Sequence, residues 1–401
     1  MDFKALFQGC NPNFQLLAEL YRDLHRFPEL SGDEGQTASR VALRLRALKD
    51  FVVHSHIGGH GVAGVFRNGT GPAVLLRAEL DALPVKERTA LDYSSTSAKK
   101  VMHACGHDMH MACLMGAAEL LLKARAQWSG TLIVLFQPKS VGSHGAQAMV
   151  DDDVYGKLGV RPNVVFGQHV MGIPSGSVSI ATSKPAVPSA DVVWIRLSLD
   201  KGAVANPQIV CDAGALAARI IDRVKALVVQ LQREGHAYIV VTTMYLNAQI
   251  PEDGMVIDQA DIGLEVKAKE QTIRIKVLAE IRVIVEDEAQ IAGTVSTPMV
   301  TTSVVAPMTT NDSAMAGQLK EAFVGHFGAN DVVEVIPDSL VEDFSILATA
   351  VGAPYRDDIP KTIPLEGSAL FAPLINPTLE TGVHALSVAA LTIFHKRSQE
   401  D

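Results

Sequence analysis

Val101–His110 reads VMHACGHDMH, and its reading decides the rest. Three histidines (His103, His107, His110) and Cys105 fall within eight residues, and the stretch runs straight into an apolar segment, MACLMGAAELLLKA (Met111–Ala124). Thiolate and imidazole are the donors a zinc-like ion prefers. Cys105 and His107 are two residues apart, so a turn or an extended segment can aim both at one ion. His103, Asp108 and His110 are then placed to orient them from behind. One such histidine would be read as a helix cap or a satisfied core residue, but this density points to a present or former metal site.

Around that stretch the chain reads as α/β. Leu16, Leu17, Leu20 and Leu24 recur at helical spacing, Phe27-Pro28-Glu29-Leu30-Ser31 interrupts them, and Glu34–Leu48 resumes the helix. Phe51–Ile57 and Gly61–Arg67 have strand character, with Gly58-Gly59 and Asn68-Gly69 as turns. Ala73–Arg77, Thr131–Gln137 and Asn163–His169 are apolar runs of the buried-strand kind. The first ends in Glu79 and Asp81, the last in His169, and ligands of open α/β sheets collect at such strand ends.

The middle of the chain changes character. Asp191–Leu199 (strand), Ala213–Gln232 (helix), Ala237–Leu246 and Asp258–Lys267 (strands), Glu270–Gln290 (helix) and Val295–Val305 (strand) give the β-α-β-β-α-β order of a ferredoxin-like domain. Ser179–Ala190, SIATSKPAVPSA, reads as the hinge into it. After Pro307 short helices and strands alternate, ending in a helix from about His384 to Arg397. The expectation is a discontinuous α/β domain (1–187 and 306–401) carrying an inserted ferredoxin-like domain (188–305) whose free sheet edge pairs two chains into a homodimer.

Composition narrows the function. In 401 residues, 48% are hydrophobic and 20% charged, as in an ordered globular protein. A net charge of -9 argues against nucleic acid or an anionic membrane as partner. Four cysteines (Cys10, Cys105, Cys113, Cys211) are too few for a disulfide framework, and neither a secretion signal nor a stretch of ~20 apolar residues is evident, so a cytoplasmic protein is expected. Phosphate-binding loops, the dinucleotide fingerprint and the nucleophile elbow are missing from the sequence.

The chain resembles the two-metal aminoacylase and carboxypeptidase family, in the branch of hippurate hydrolase and the auxin-conjugate amidohydrolases. The resemblance is carried by LHRFPELSGDE (Leu24–Glu34), LRAELDALPVKE (Leu76–Glu87), MHACGHDMHMACLMGAAELL (Met102–Leu121), Phe136-Gln137-Pro138 with GAQAMVDD downstream, FGQHV (Phe166–Val170) and VEDFS (Val341–Ser345). It implies a zinc-peptidase-like catalytic domain with an inserted dimerisation or lid domain. It also implies that Cys105, His107 and His169 take metal-ligand positions and that Glu342 belongs near the pocket.

At other positions the chain departs from the pattern. After Phe-Gln-Pro the family carries Ala-Glu-Glu, the first glutamate a general base and the second a ligand; here stand Lys139, Ser140 and Val141. Serine has no basicity near neutral pH and valine cannot bind a metal. The late ligand of the His-Asn-Pro pattern is Ile375. The family's oxyanion-stabilising histidine falls on Ala203 in Gly202–Pro207, beside Asn206, and its carboxylate-binding arginine falls on Lys267, which lacks the planar fork.

Two-metal hydrolysis is therefore expected to be lost and the old pocket reused for cyclisation, condensation, isomerisation or elimination on a small amide- or amino-acid-like molecule. Cys105, His107, His169, Ser140, Lys139, Asp81 and Glu79 are the candidate catalytic groups, with His144, Lys267, Asn206 and Glu342 toward the substrate. No cofactor is expected; a single zinc or manganese ion on Cys105, His107 and His169 is the alternative. Two further readings stay open: a homodimeric binding or regulatory pseudoenzyme, and a residual mononuclear N-acyl amino acid amidohydrolase.

Overall fold

The computed structural model describes residues 2–142, 144–182, 185–199, 212–236, 238–250, 257–292, 296–334, 342–350, 355–356 and 368–396. They fall into two compact units. One is built from Met1–Val187, Thr309–Pro337 and Glu342–Asp401, the other from Pro188–Met308.

The first unit begins with helices α1 (Phe3–Cys10), α2 (Phe14–Arg26) and α3 (Gly35–Ala47). Asp2 caps α1, a helix the apolar spacing did not announce because its eight residues bury only Phe7. Asn13 caps α2 by accepting from the N–H groups of Gln15 and Leu16. Strands β1 (Val52–Ile57), β2 (Gly61–Asn68) and β3 (Ala73–Glu79) follow, then α4 (His107–Lys123), β4 (Gly130–Gln137), α5 (Gly145–Asp151), α6 (Val154–Leu158) and β5 (Val164–Gly167). The chain returns to this unit with α9 (Ser313–Phe327), α10 (Ser345–Thr349), β10 (Tyr355–Arg356) and α11 (Ile375–Lys396), numbered after the second unit's elements.

Among the described residues the larger sheet has six strands in the order β1-β2-β4-β3-β5-β10. β1, β2 and β4 are antiparallel neighbours, while β4, β3, β5 and β10 run parallel. Every residue of β3 is buried, as a central parallel strand covered on both faces must be. α4 is buried almost all round, packed between the sheet and helices α2 and α11, which explains why its sequence is apolar on every side. The parallel strands β3 and β4 end side by side, with Glu79 paired to Gln137, and that rim is where the polar residues gather.

The second unit contains β6 (Ser189–Ser198), α7 (Ala213–Arg233), β7 (Ile239–Ala248), β8 (Gln259–Ala268), α8 (Gln271–Ile291) and β9 (Met299–Ala306). Its antiparallel sheet runs β9-β6-β8-β7, so the fourth strand lies beside the first and the third beside the second. This is the mixed α/β architecture with the β-α-β-β-α-β order read from the sequence. Two local expectations need correction. The hinge segment contains a strand, Pro185–Val187, paired with Thr309–Thr310. The last helix spans Ile375–Lys396 rather than starting near His384, with non-helical backbone at Asn376 just inside its start.

Candidate active site

The turn that delivers α4 depends on one glycine. Gly106 sits at φ +77°, and a Cβ there would come within 2.3 Å of Val170 Cγ2. A side chain at this position would suffer both backbone strain and a clash. The turn drops His107 and Asp108 into the first helical turn and places His110 one turn on. His25, on α2, locks this end of α4: its Nδ1 lies 2.6 Å from Asp108 Oδ2 and its Nε2 3.1 Å from Glu87 Oε1. Burial lowers the His25 pKa, but Asp108 and Glu87 outweigh it and raise it to about 9.

Three imidazoles converge. His107, His110 and His169 are all buried, and each offers a donor atom within 4.8 Å of the others. His107 donates its Nδ1 proton to the backbone oxygen of Asp81 at 2.7 Å, and His169 donates its Nδ1 proton to the oxygen of Val170 at 2.8 Å. A carbonyl can only accept, so in both rings Nδ1 carries the proton and Nε2 is the atom left to act. This is the arrangement by which neighbours orient metal-binding histidines. His110 is different: Nδ1 lies 2.7 Å from Glu79 Oε2 while Nε2 accepts the Val170 N–H at 2.8 Å, so both of its nitrogens are engaged.

Their proton affinities diverge. Burial lowers His107, but Glu79, Asp81 and Glu342 outweigh it and hold the pKa at about 9. Burial and the neighbouring His110 push His169 well below the usual histidine value. His103 is driven down to about 4, chiefly by burial, and neither ring nitrogen has a hydrogen-bond partner among the described residues.

Beside the histidines lies a buried carboxylate cluster built on Arg77. Its guanidinium donates Nε to Gln137 Oε1 at 2.9 Å and Nη1 to Glu79, and its Nη1 is 2.8 Å from Glu342 Oε2 and its Nη2 3.5 Å from Asp343 Oδ1. Gln137 and the Ala146 N–H hold the Asp343 carboxylate from the other side at 2.7 and 2.9 Å. Burial raises the Glu79 pKa, yet Arg77 and His110 outweigh it and keep the carboxylate ionised far below the usual range. Asp343 stays raised, because burial dominates over Arg77 there.

Ser140 and Val141 occupy a defined place. Ser140 Oγ donates to Asp81 Oδ1 and the Val141 N–H donates to Asp81 Oδ2, both at 2.7 Å. Where the resemblance implies two glutamates, this chain thus supplies two donors that take up both oxygens of Asp81.

The sequence-named residues sort accordingly. Asp81, Glu79, His107, His169, Ser140 and Glu342 come together. Cys105 is half-buried and joins neither three-residue group of potential metal donors; the third imidazole is His110. Asp108 serves His25, and His107 is instead oriented by Asp81, so the orienting roles expected of His103, Asp108 and His110 pass largely to the neighbouring strand end. Lys139 takes a left-handed backbone (φ +52°) and lies over Gly32 and Gly59, while His144 is exposed at the start of α5. Ile375 packs on the apolar core. Lys267 belongs to β8 of the second unit, paired with Glu265 at 3.2 Å. Ala203 and Asn206 lie outside the described residues.

Sequence reasoning passed over Arg77, Gln137 and His25. Arg77 was legible as a charge inside an otherwise apolar strand, which demands a buried partner. His25 carried no such mark.

Fold and site together define a peptidase-type amidohydrolase scaffold. The chain belongs to peptidase family M20/M25/M40, which it matches over residues 75–359. Thermostable carboxypeptidase 1 of Saccharolobus solfataricus is 29% identical over 334 residues, 82% of either chain. Hippurate hydrolase of Campylobacter jejuni is 41% identical over 160 residues, 40% of either chain. Among solved structures, the Bacillus subtilis YXEP protein, described as a dinuclear metal binding peptidase of the M20 family, superposes with a TM-score of 0.75 at 25% identity, covering 95% of this chain and 98% of that one.

Two groups of described residues, sharing His107, could hold a metal ion. His107 and His169, each fixed through Nδ1, suit a metal, so the expectation that none binds has no support in the site. The second group, Glu79, His107 and Glu342, already contains the Arg77 guanidinium between its carboxylates, where a second cation would meet a like charge.

Proposed function

We propose that this chain is a small-molecule enzyme of the amidohydrolase type that has left two-metal hydrolysis, its pocket now serving non-hydrolytic chemistry such as isomerisation, elimination or cyclisation on an amide- or amino-acid-like molecule. One observation carries the reading: Ser140 and Val141 stand where the resemblance implies the general base and a metal ligand, and Ser140 Oγ and the Val141 N–H instead donate to Asp81, so neither position supplies a carboxylate. The remaining carboxylates nearby, Glu79, Glu342 and Asp343, are held around Arg77. What remains for proton transfer is the pair His107 and His169, whose ring centroids are 5.9 Å apart. Such a pair can exchange protons with a small substrate lying against both rings.

The test is an assay of N-acyl amino acid hydrolysis by the purified protein with and without added zinc, manganese or cobalt. The expected rate is at least ~100-fold below that of an intact relative, since a general base contributes ~100–10,000-fold. Turnover at ordinary rates, ~1–1,000 per second, overturns the proposal.

A second reading, a mononuclear hydrolase, is favoured by the shared Nδ1 anchoring of His107 and His169. A bound ion would polarise a carbonyl and acidify a water molecule there. Metal content of the gently purified protein separates the two. The second unit supports a homodimer reading, because Trp194, Tyr245 and Met299 leave an exposed apolar patch on its sheet. The free thiols Cys10 and Cys113 agree with a cytoplasmic setting. No helix among the described residues is long and apolar enough to cross a membrane.

A further inference from the structure

Away from the histidine cluster, two other buried histidines meet where the N-terminal helix packs. His326, near the end of α9, and His384, in the middle of α11, place Nε2 and Nδ1 3.2 Å apart. His384 Nε2 lies 2.9 Å from Oδ1 of Asn11, the residue that ends α1. Phe7 is the one buried residue of α1, and its ring sits against both imidazoles, with centroids 5.1 Å from His326 and 4.8 Å from His384. Phe3, Phe14 and Phe327 add further aromatic contacts. The anchor of α1 therefore rests on the histidine pair.

Hydrogen-bond direction fixes the protons. Asn11 Oδ1 can only accept, so His384 Nε2 carries a proton. In the neutral ring Nδ1 is then an acceptor, and His326 Nε2 is the donor toward it. His326 Nδ1 is left bare, and it is buried with no hydrogen-bond partner among the described residues. One more proton has no good place. On His384 Nδ1 it faces the His326 N–H; on His326 Nδ1 it makes a buried N–H with nothing to bond. Burial accordingly lowers both histidines, His384 to about 4.

The surrounding charges do not offset this. Lys4 and Asp2 act on His326 with opposite signs. On α4, Lys123 donates to the Asn11 oxygen at 2.9 Å and is paired with Glu119 at 2.8 Å. On α9, Lys320 is paired with Glu334 at 3.1 Å, and on α11 the exposed Glu380 stands one turn before His384. From α2 it is Phe14 that meets His384.

We propose that the His326–His384–Asn11 chain is an acid-sensitive latch: the neutral pair holds α1 down, and protonation releases that helix while the rest of the first unit stays folded. Eight residues are too few for a helix to persist alone in water, so release also melts it. A histidine lowered in the docked form favours docking fully above its free value, ~6.5, and loses that preference as pH falls toward its docked value. With His384 at about 4, the released-to-docked ratio rises about 30-fold between pH 7.5 and pH 5, and His326 adds in the same direction.

Hydrogen exchange of the full chain, read by mass spectrometry at pH 7.5 and pH 5 and corrected for intrinsic rates, tests this. Protection of α1 should fall at least tenfold at pH 5, while protection of the central strand β3 falls less than threefold. A smaller fall in α1, or an equal fall in β3, overturns the proposal. The double variant His326→Gln/His384→Gln keeps amide donors but has no titrating ring, and its α1 protection should change less than threefold. A fall as large as that of wild type overturns the proposal too. Where the double variant does not fold, the wild-type comparison of α1 with β3 decides by itself.

Discussion

Replacing Arg77 with methionine tests the charge balance of the site most directly. The guanidinium is buried and faces three carboxylates: Glu79 through a direct hydrogen bond, Glu342 at 2.8 Å and Asp343 at 3.5 Å. At an effective dielectric constant of ~20, contacts of this length are worth ~5–6 kcal/mol each before desolvation. Much of that offsets the cost of burying the charges, so the measurable quantity is the penalty for leaving carboxylates unpaired, ~3–5 kcal/mol.

The sign with pH follows from Glu79. Its folded pKa is depressed, so its stabilising contribution is present above the unfolded value, ~4.3, and is lost as pH falls through the folded value. Without Arg77, burial pushes that carboxylate up instead. Arg77→Met should therefore be destabilised most at neutral pH, with Tm roughly 5–15 °C lower, and the deficit should shrink toward pH 4. Thermal unfolding followed by circular dichroism at pH 7.5 and pH 4.5 measures it. Equal Tm values for variant and wild type at pH 7.5, or a deficit that grows in acid, would refute the account. Arg77→Lys, which keeps the charge but not the fork, should fall between the two.

Other expectations are independent of that cluster. His25→Gln should remove a stabilising term that is complete below ~6.5, the unfolded value, and fades as pH rises through about 9; the stability difference from wild type in urea, ~3 kcal/mol at pH 6, should fall toward zero above pH 9. Gly106→Ala should lower stability by ~1–3 kcal/mol and weaken metal binding, since its new methyl meets Val170 and the turn that presents His107 is strained; calorimetry with zinc and thermal unfolding read the two effects. Wild-type protein should take up no more than one zinc per chain, and binding at pH 7 should release about one proton from His107, detected by titration in buffers of different ionisation enthalpy. Two zinc ions bound per chain would contradict the role given to Arg77.

The sequence by itself determined the scaffold. Apolar runs at Ala73–Arg77 and Thr131–Gln137, the helical spacing of Leu16–Leu24 and the β-α-β-β-α-β order are local signals, and local signals survive in a single chain. It also named the strand-end residues Glu79, Asp81 and His169, which the structure places beside His107. Tertiary structure decided what those residues do. His107 is oriented by Asp81, 26 positions away, and not by its neighbours in VMHACGHDMH. His25 reaches Asp108 across 83 positions and Arg77 reaches Asp343 across 266. A hydrogen bond over such separations leaves no periodicity to read; it exists only once parallel strands align their ends and α4 is laid across them.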